Sequence, residues 1–165
     1  MSIERDDIPA AALELENQSI GPNRQPALGA AIELLRAEWL RGRRNRELAL
    51  HLLFLCWYML VEPPFLTGLD ESRVSPDELS SLFNAIHDSF VIANLDDAEV
   101  LYTTGLAAHL FPWELGDIAT WERRGAEYRK RYRALAPTGL DPSLFAGRGA
   151  YGDYFASQAR VEGGY

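Results

Sequence analysis

The chain has 165 residues, 47% of them apolar and 24% charged, with a formal net charge of −8. That length suits one domain that buries most of its apolar surface, and that composition excludes wholesale disorder. A single cysteine, Cys56, excludes an internal disulfide, and the start Met1-Ser2-Ile3-Glu4-Arg5 lacks a secretory leader's basic and apolar regions, so the expected setting is cytoplasmic.

Residues 1–24 form an N-terminal extension with a short helix expected around Ala10 to Leu15. The bundle proper is expected over 25–136. Its first helix starts near Pro26, presents Leu28, Ile32, Leu35 and Trp39 on one face, and ends at Gly42. The second runs from Asn45 to Val61 and stops at Pro63-Pro64. Its residues 48–61, Leu-Ala-Leu-His-Leu-Leu-Phe-Leu-Cys-Trp-Tyr-Met-Leu-Val, span about 21 Å as a helix, short of the roughly 30 Å of a bilayer core. A helix so apolar must be wrapped by the rest of its own chain.

Ser75-Pro76-Asp77-Glu78 signals the third helix, with Ser75 as cap and Glu78 closing a capping box. Its predicted inner face is Leu79, Leu82, Phe83, Ile86, Phe90 and Ala93. The fourth runs from Asp96 or Asp97 to about Phe111. The fifth starts at Asp117 and presents Ile118, Trp121, Gly125, Tyr128, Tyr132 and Leu135 before Pro137. No segment alternates with period two. The fold class is therefore all-α: a single-domain bundle of about five helices around the strongly apolar helix 45–61. The Gly-rich segment 137–165 carries Leu144, Phe145, Tyr151, Tyr154, Phe155 and Tyr165, and that aromatic content suggests a tail packed on the bundle.

The charges are segregated. Residues 62–117 carry 11 acids and 1 base, whereas 25–61 carry 3 and 5, and 118–136 carry 2 and 6. The acidic middle reads either as a face for a basic partner or as helix capping, because Asp77, Glu78, Asp96, Asp97, Glu99 and Asp117 all stand where helices begin. Arginines at 41, 43, 44 and 46 and between 123 and 133 raise nucleic acid as a partner. The tyrosines among the latter point inward, Glu127 is placed to pair with Arg131, and the acidic middle would repel phosphate, so the balance is against it.

No catalytic signature is found. The three histidines lie on different helices without metal-ligand spacing, Cys56 has the place of a buried hydrophobe, and Gly147-Arg148-Gly149 lacks the setting of a phosphate loop. Trp113-Glu114-Leu115-Gly116 has one residue too few between Trp and Leu for a tetratricopeptide start. No cofactor and no metal are expected.

Two sites remain. A non-catalytic module would bind a protein partner, of adaptor, inhibitor or immunity type and with basic character. Phe65, Leu69 and Trp113 would serve as apolar anchors, and Glu62, Asp70, Glu71 and Glu114 as charge. The alternative is a small enzyme or ligand-binding bundle with a polar pocket between the second and fourth helices, using His51, Tyr58, Glu62, Tyr102 and His109.

Overall fold

The computed structural model describes residues 8–161; residues 1–5 and Tyr165, both considered above, lie outside them. The described chain is all-helical and forms one domain. Among the described residues nine α-helices succeed one another: α1 (Ala10–Gln18), α2 (Leu28–Leu40), α3 (Arg46–Val61), α4 (Pro64–Thr67), α5 (Pro76–Ile86), α6 (Ala98–Leu110), α7 (Pro112–Leu115), α8 (Ile118–Leu135) and α9 (Gly149–Arg160). None is long and apolar enough to cross a membrane.

The sequence pattern implies about five helices, and the additional ones have identifiable causes. Two are single turns, α4 and α7, each opened by a proline in its first turn. They are too short to show a period. A third, α1, covers the short N-terminal helix the sequence suggested. The fourth, α9, is hidden by Gly149 and Gly152, which weaken a helical signal. Both glycines are there for contact: a Cβ on Gly152 would lie 2.1 Å from the Phe145 carbonyl oxygen, and one on Gly149 2.8 Å from Glu16 Oε1.

Local start signals act as the sequence implied. The Asn45 side chain accepts from the Leu48 N–H at 2.8 Å, and Ser75 and Glu78 close a capping box. Asp97 accepts from the Glu99 and Val100 N–H groups, and Asp117 from that of Thr120. One inner face departs from expectation. After Ile86 the helix opens into a wide turn over His87–Val91, with five residues closing each hydrogen-bonded loop instead of four. The extra residue rotates the downstream segment, so His87 and Val91 are buried while Phe90 is half-buried and Ala93 is exposed.

Eleven residues of α3, Leu48 to Trp57 and Met59, are buried, and α3 packs against α2, α5, α6, α7 and α9. Burial of such side chains contributes about 1.5–3 kcal/mol each. Helix α6 is buried continuously from Glu99 to Ala108 and lies along α8. Gly125 permits this approach, because a Cβ there would meet the His109 backbone nitrogen at 3.3 Å. On α8 the stripe Trp121, Gly125, Tyr128 and Tyr132 is buried, but its expected ends, Ile118 and Leu135, are exposed. In the C-terminal segment Phe145, Tyr151 and Phe155 enter the core, Tyr154 is half-buried and Leu144 is exposed.

Candidate functional site

The densest polar chemistry lies at the N-terminal ends of α3 and α6, where α1 and the start of α9 close over them. His51, about one and a half turns into α3, is 1% exposed. Its Nδ1 donates to Glu16 Oε2 of α1 at 2.6 Å, and its Nε2 donates to Glu47 Oε1 one turn earlier at 2.9 Å. The Tyr151 ring stacks on the imidazole with centroids 4.9 Å apart, and the Tyr151 backbone N–H donates to Glu16 Oε1. Burial opposes a charge on this ring, but Glu16 first and Glu47 second outweigh it and hold the His51 pKa at about 9. The ring is therefore an imidazolium at neutral pH.

Glu47 is shared between His51 and Arg148. Arg148 Nε and Nη2 donate to the two Glu47 oxygens at 2.9 and 2.8 Å, and Nη1 and Nη2 donate to the two oxygens of buried Glu99. Nη1 also reaches the Leu144 carbonyl, so the five guanidinium N–H groups are all engaged. Burial pushes the Glu47 carboxyl up, but the bonds from His51 and Arg148 prevail and hold it at about 2. Arg46 extends the network, with Nε and Nη2 on Asp97 and Nη1 on Glu99 at 2.8 Å.

A cleft of about 760 Å³ opens beside this network. Ile8, Leu13, Leu144 and Ala146 supply its apolar wall, and Arg46, Glu47, His51 and Arg148 its polar one. Its size falls in the range of small-molecule sites.

Of the five residues of the sequence-predicted pocket, only His51 lines this cleft. Tyr58 packs half-buried against Phe54 and Tyr154, and burial together with Glu62 pushes its phenol up. Glu62 is half-buried at the far end of α3. Tyr102 is buried among Tyr132, Phe145 and Phe155, and burial pushes its phenol up as well. His109 is exposed at the C-terminal end of α6. The starts of α3 and α6 do meet in a polar site, but through Arg46 on Asp97 and Glu99 and through Arg148 bridging Glu47 to Glu99. Glu16, Glu99 and Arg148 escape sequence reading as site residues. The available signal is Glu47 and His51 at i and i+4 in an otherwise apolar run; nothing local marks Arg148, 101 residues from Glu47.

The expected anchors divide. Phe65 is 78% exposed and Trp113 55% exposed, with Trp113 packed edge-on against Phe111. Leu69 turns inward to 8% exposure, because Gly68 ends α4 with φ +74 and folds the chain back onto the core. Leu66 takes an outward position instead. Asp70 and Glu71 are exposed, and Glu114 is half-buried. Among the described residues no group of three or more His, Cys, Asp or Glu side chains is placed to hold a metal.

A second histidine is also engaged. Burial lowers the His87 pKa, its Nδ1–H donates to Asp88 at 2.9 Å, and its Nε2 accepts from the Tyr128 hydroxyl at 2.6 Å. The basic stretches are largely paired too: Arg41 and Arg43 with Glu38, Arg44 stacked on Trp39, and Arg131 with Glu127 at 2.8 Å. No family model, no curated protein and no solved structure matches this chain.

Two outcomes test the network. Arg148→Met leaves Glu47 with His51 and Glu99 with Arg46 but removes the cation the two carboxylates share, and should lower unfolding stability by about 1–3 kcal/mol in urea. Stability should also fall on both sides of neutrality. The His51 pKa is raised on folding from 6.5, so its contribution is complete below 6.5 and lost as pH climbs through about 9. The Glu47 pKa is depressed from 4.5, so its contribution is complete above 4.5 and lost as pH drops through about 2. His51→Gln should flatten the alkaline limb of a stability–pH curve; an unchanged limb would refute the assignment.

Proposed function

We propose that this protein is a non-catalytic helical module that binds a protein partner of basic character through the exposed side chains of α4 and α7. The observation that carries this reading is Phe65, a large apolar side chain left 78% exposed on a rigid turn. The turn is opened by Pro63-Pro64 and fixed backbone-to-backbone on the start of α2. A Cβ on Gly29 would lie 2.1 Å from the Gly68 oxygen, and one on Gly68 2.0 Å from the Pro26 oxygen. A preordered turn loses little entropy on binding, and exposed aromatics are the usual anchors of interfaces. The surrounding acids supply the complement to a basic surface: Glu62, Asp70, Glu71 and Glu114 form no ion pair among the described residues. The buried network supports the non-catalytic part. Both nitrogens of His51 are donors at neutral pH, so the ring has no lone pair with which to act as a base.

A photo-crosslinking residue placed at Phe65 should yield one dominant protein adduct in the native cell. The same residue at exposed Ala126 on α8 should not. With the partner purified, Phe65→Ala should weaken binding by tenfold or more, and Glu62→Lys with Glu71→Lys should slow association most at low salt. Equal adducts from both positions would overturn the reading.

The cleft favours a second reading, a ligand-binding bundle. His51 and Arg148 have all their polar hydrogens engaged and Arg46 has three of five on Asp97 and Glu99, while Glu47 Oε2 accepts a single bond and retains a lone pair. The complementary ligand is a protonated amine with an apolar body seated on Leu13 and Leu144. Calorimetry with alkyl and aryl amines should give saturable binding that Glu47→Gln abolishes; binding unaffected by that substitution would exclude the site.

A further inference from the structure

The contact between α3 and α6 contains a small internal void lined by Leu53, Trp57, Phe83, Thr104, Ala107 and Phe155, among others. It is where the sequence suggested a pocket between these two helices, but the centre of a water molecule can range over only about 10 Å³ of it. A substrate needs a site of several hundred Å³. One water needs little more than its own sphere.

The void is not purely apolar. Two of its lining side chains have polar atoms shielded from solvent with no protein partner: the Trp57 indole nitrogen, an obligatory donor, and the Thr104 hydroxyl, which both donates and accepts. The neighbouring threonine behaves differently. Thr103 Oγ1 donates to the Glu99 carbonyl one turn back at 3.0 Å, the usual resolution for a helical threonine. Thr104 has that option on the same helix and does not take it. Trp57 stands on α3 and Thr104 on α6, so two side chains that carry orphaned polar atoms line one void from different helices. Leaving either unpaired in the interior is costly, and a void of this size with two polar partners meets the minimum for holding a water.

We infer that this void is a binding site for one ordered water molecule, which accepts from the Trp57 indole N–H and exchanges a hydrogen bond with the Thr104 hydroxyl. The water joins α3 to α6 at mid-height, where neither helix offers the other a direct polar contact. Thr104 is a positioning residue for it.

The native protein tests this in two ways. A high-resolution crystal structure should show one density peak within hydrogen-bonding distance of both Trp57 Nε1 and Thr104 Oγ1. An empty void, or either atom bonded directly to protein, overturns the inference. In solution, the Trp57 indole proton, assigned against Trp57→Phe, should give a cross-peak to a long-lived water. Thr104→Ser should retain it and the nearly isosteric Thr104→Val should lose it. A cross-peak that survives in Thr104→Val removes Thr104 from the site, and none in the native protein removes the water. Because the crystal structure needs no substitution, a variant that fails to fold leaves the test intact.

Discussion

His51 is a charged side chain inside a helix that water barely reaches, and both ends of the chain are arranged around that fact. Withdrawing an ion from water costs several kcal/mol unless close counter-charges and satisfied hydrogen bonds offset it. One counter-charge, Glu47, comes from α3 itself. The other, Glu16, comes from α1, which is thereby docked. Glu47 is held in turn by Arg148, which leads directly into α9. Tyr151 completes the closure, its ring on His51 and its backbone N–H on Glu16. The placement of the first and last helices is therefore as much an electrostatic outcome as an apolar one.

The same arrangement governs what the cluster can do chemically. A general base needs an available lone pair and a pKa near the working pH. His51, at about 9 with both nitrogens donating, has neither, and His87 uses its lone pair to accept from Tyr128. Cys56 is fully buried, and burial pushes its thiol up, away from the nucleophilic thiolate. The two histidines that would ordinarily suggest catalysis are here spent on joining helices.

Legibility in the sequence tracks the range of the interactions. Asn45, the Ser75–Glu78 box, Asp97 and Asp117 act on backbone within three residues, and each does what its position implied. The apolar stripes of α2 and α8 were legible because periodicity is local. The wide turn after Ile86 was not, since one extra residue leaves no mark in composition. Helix α9 was obscured by the very glycines that let it approach α1 and Phe145. The network was illegible for a different reason: Glu16 to His51 spans 35 positions and Tyr151 to Glu16 spans 135. Only the tertiary fold brings those charges together.

The acidic run over 62–117 illustrates how one compositional feature divides into separate tasks. Glu78 and Asp117 are spent at helix starts, where they satisfy or complement unpaired N–H groups. Asp97 caps α6 and also takes Arg46, while Glu99, at the start of α6's buried stretch, takes Arg148 and Arg46. Asp88 orients His87. Asp77 lies in the first turn of α5 and Asp96 directly precedes the Asp97 cap, so the remaining acids away from the start of a long helix are Glu62, Asp70, Glu71 and Glu114, beside or within α4 and α7. Capping thus accounts for part of the run and internal ion pairing for another part. The remainder flanks the exposed Phe65 and Trp113 along the chain, and of it Asp70 also accepts from the Ser72 N–H and hydroxyl within its own turn. Neither capping nor ion pairing among the described residues accounts for Glu62, Glu71 and Glu114, which is why the partner surface is proposed there.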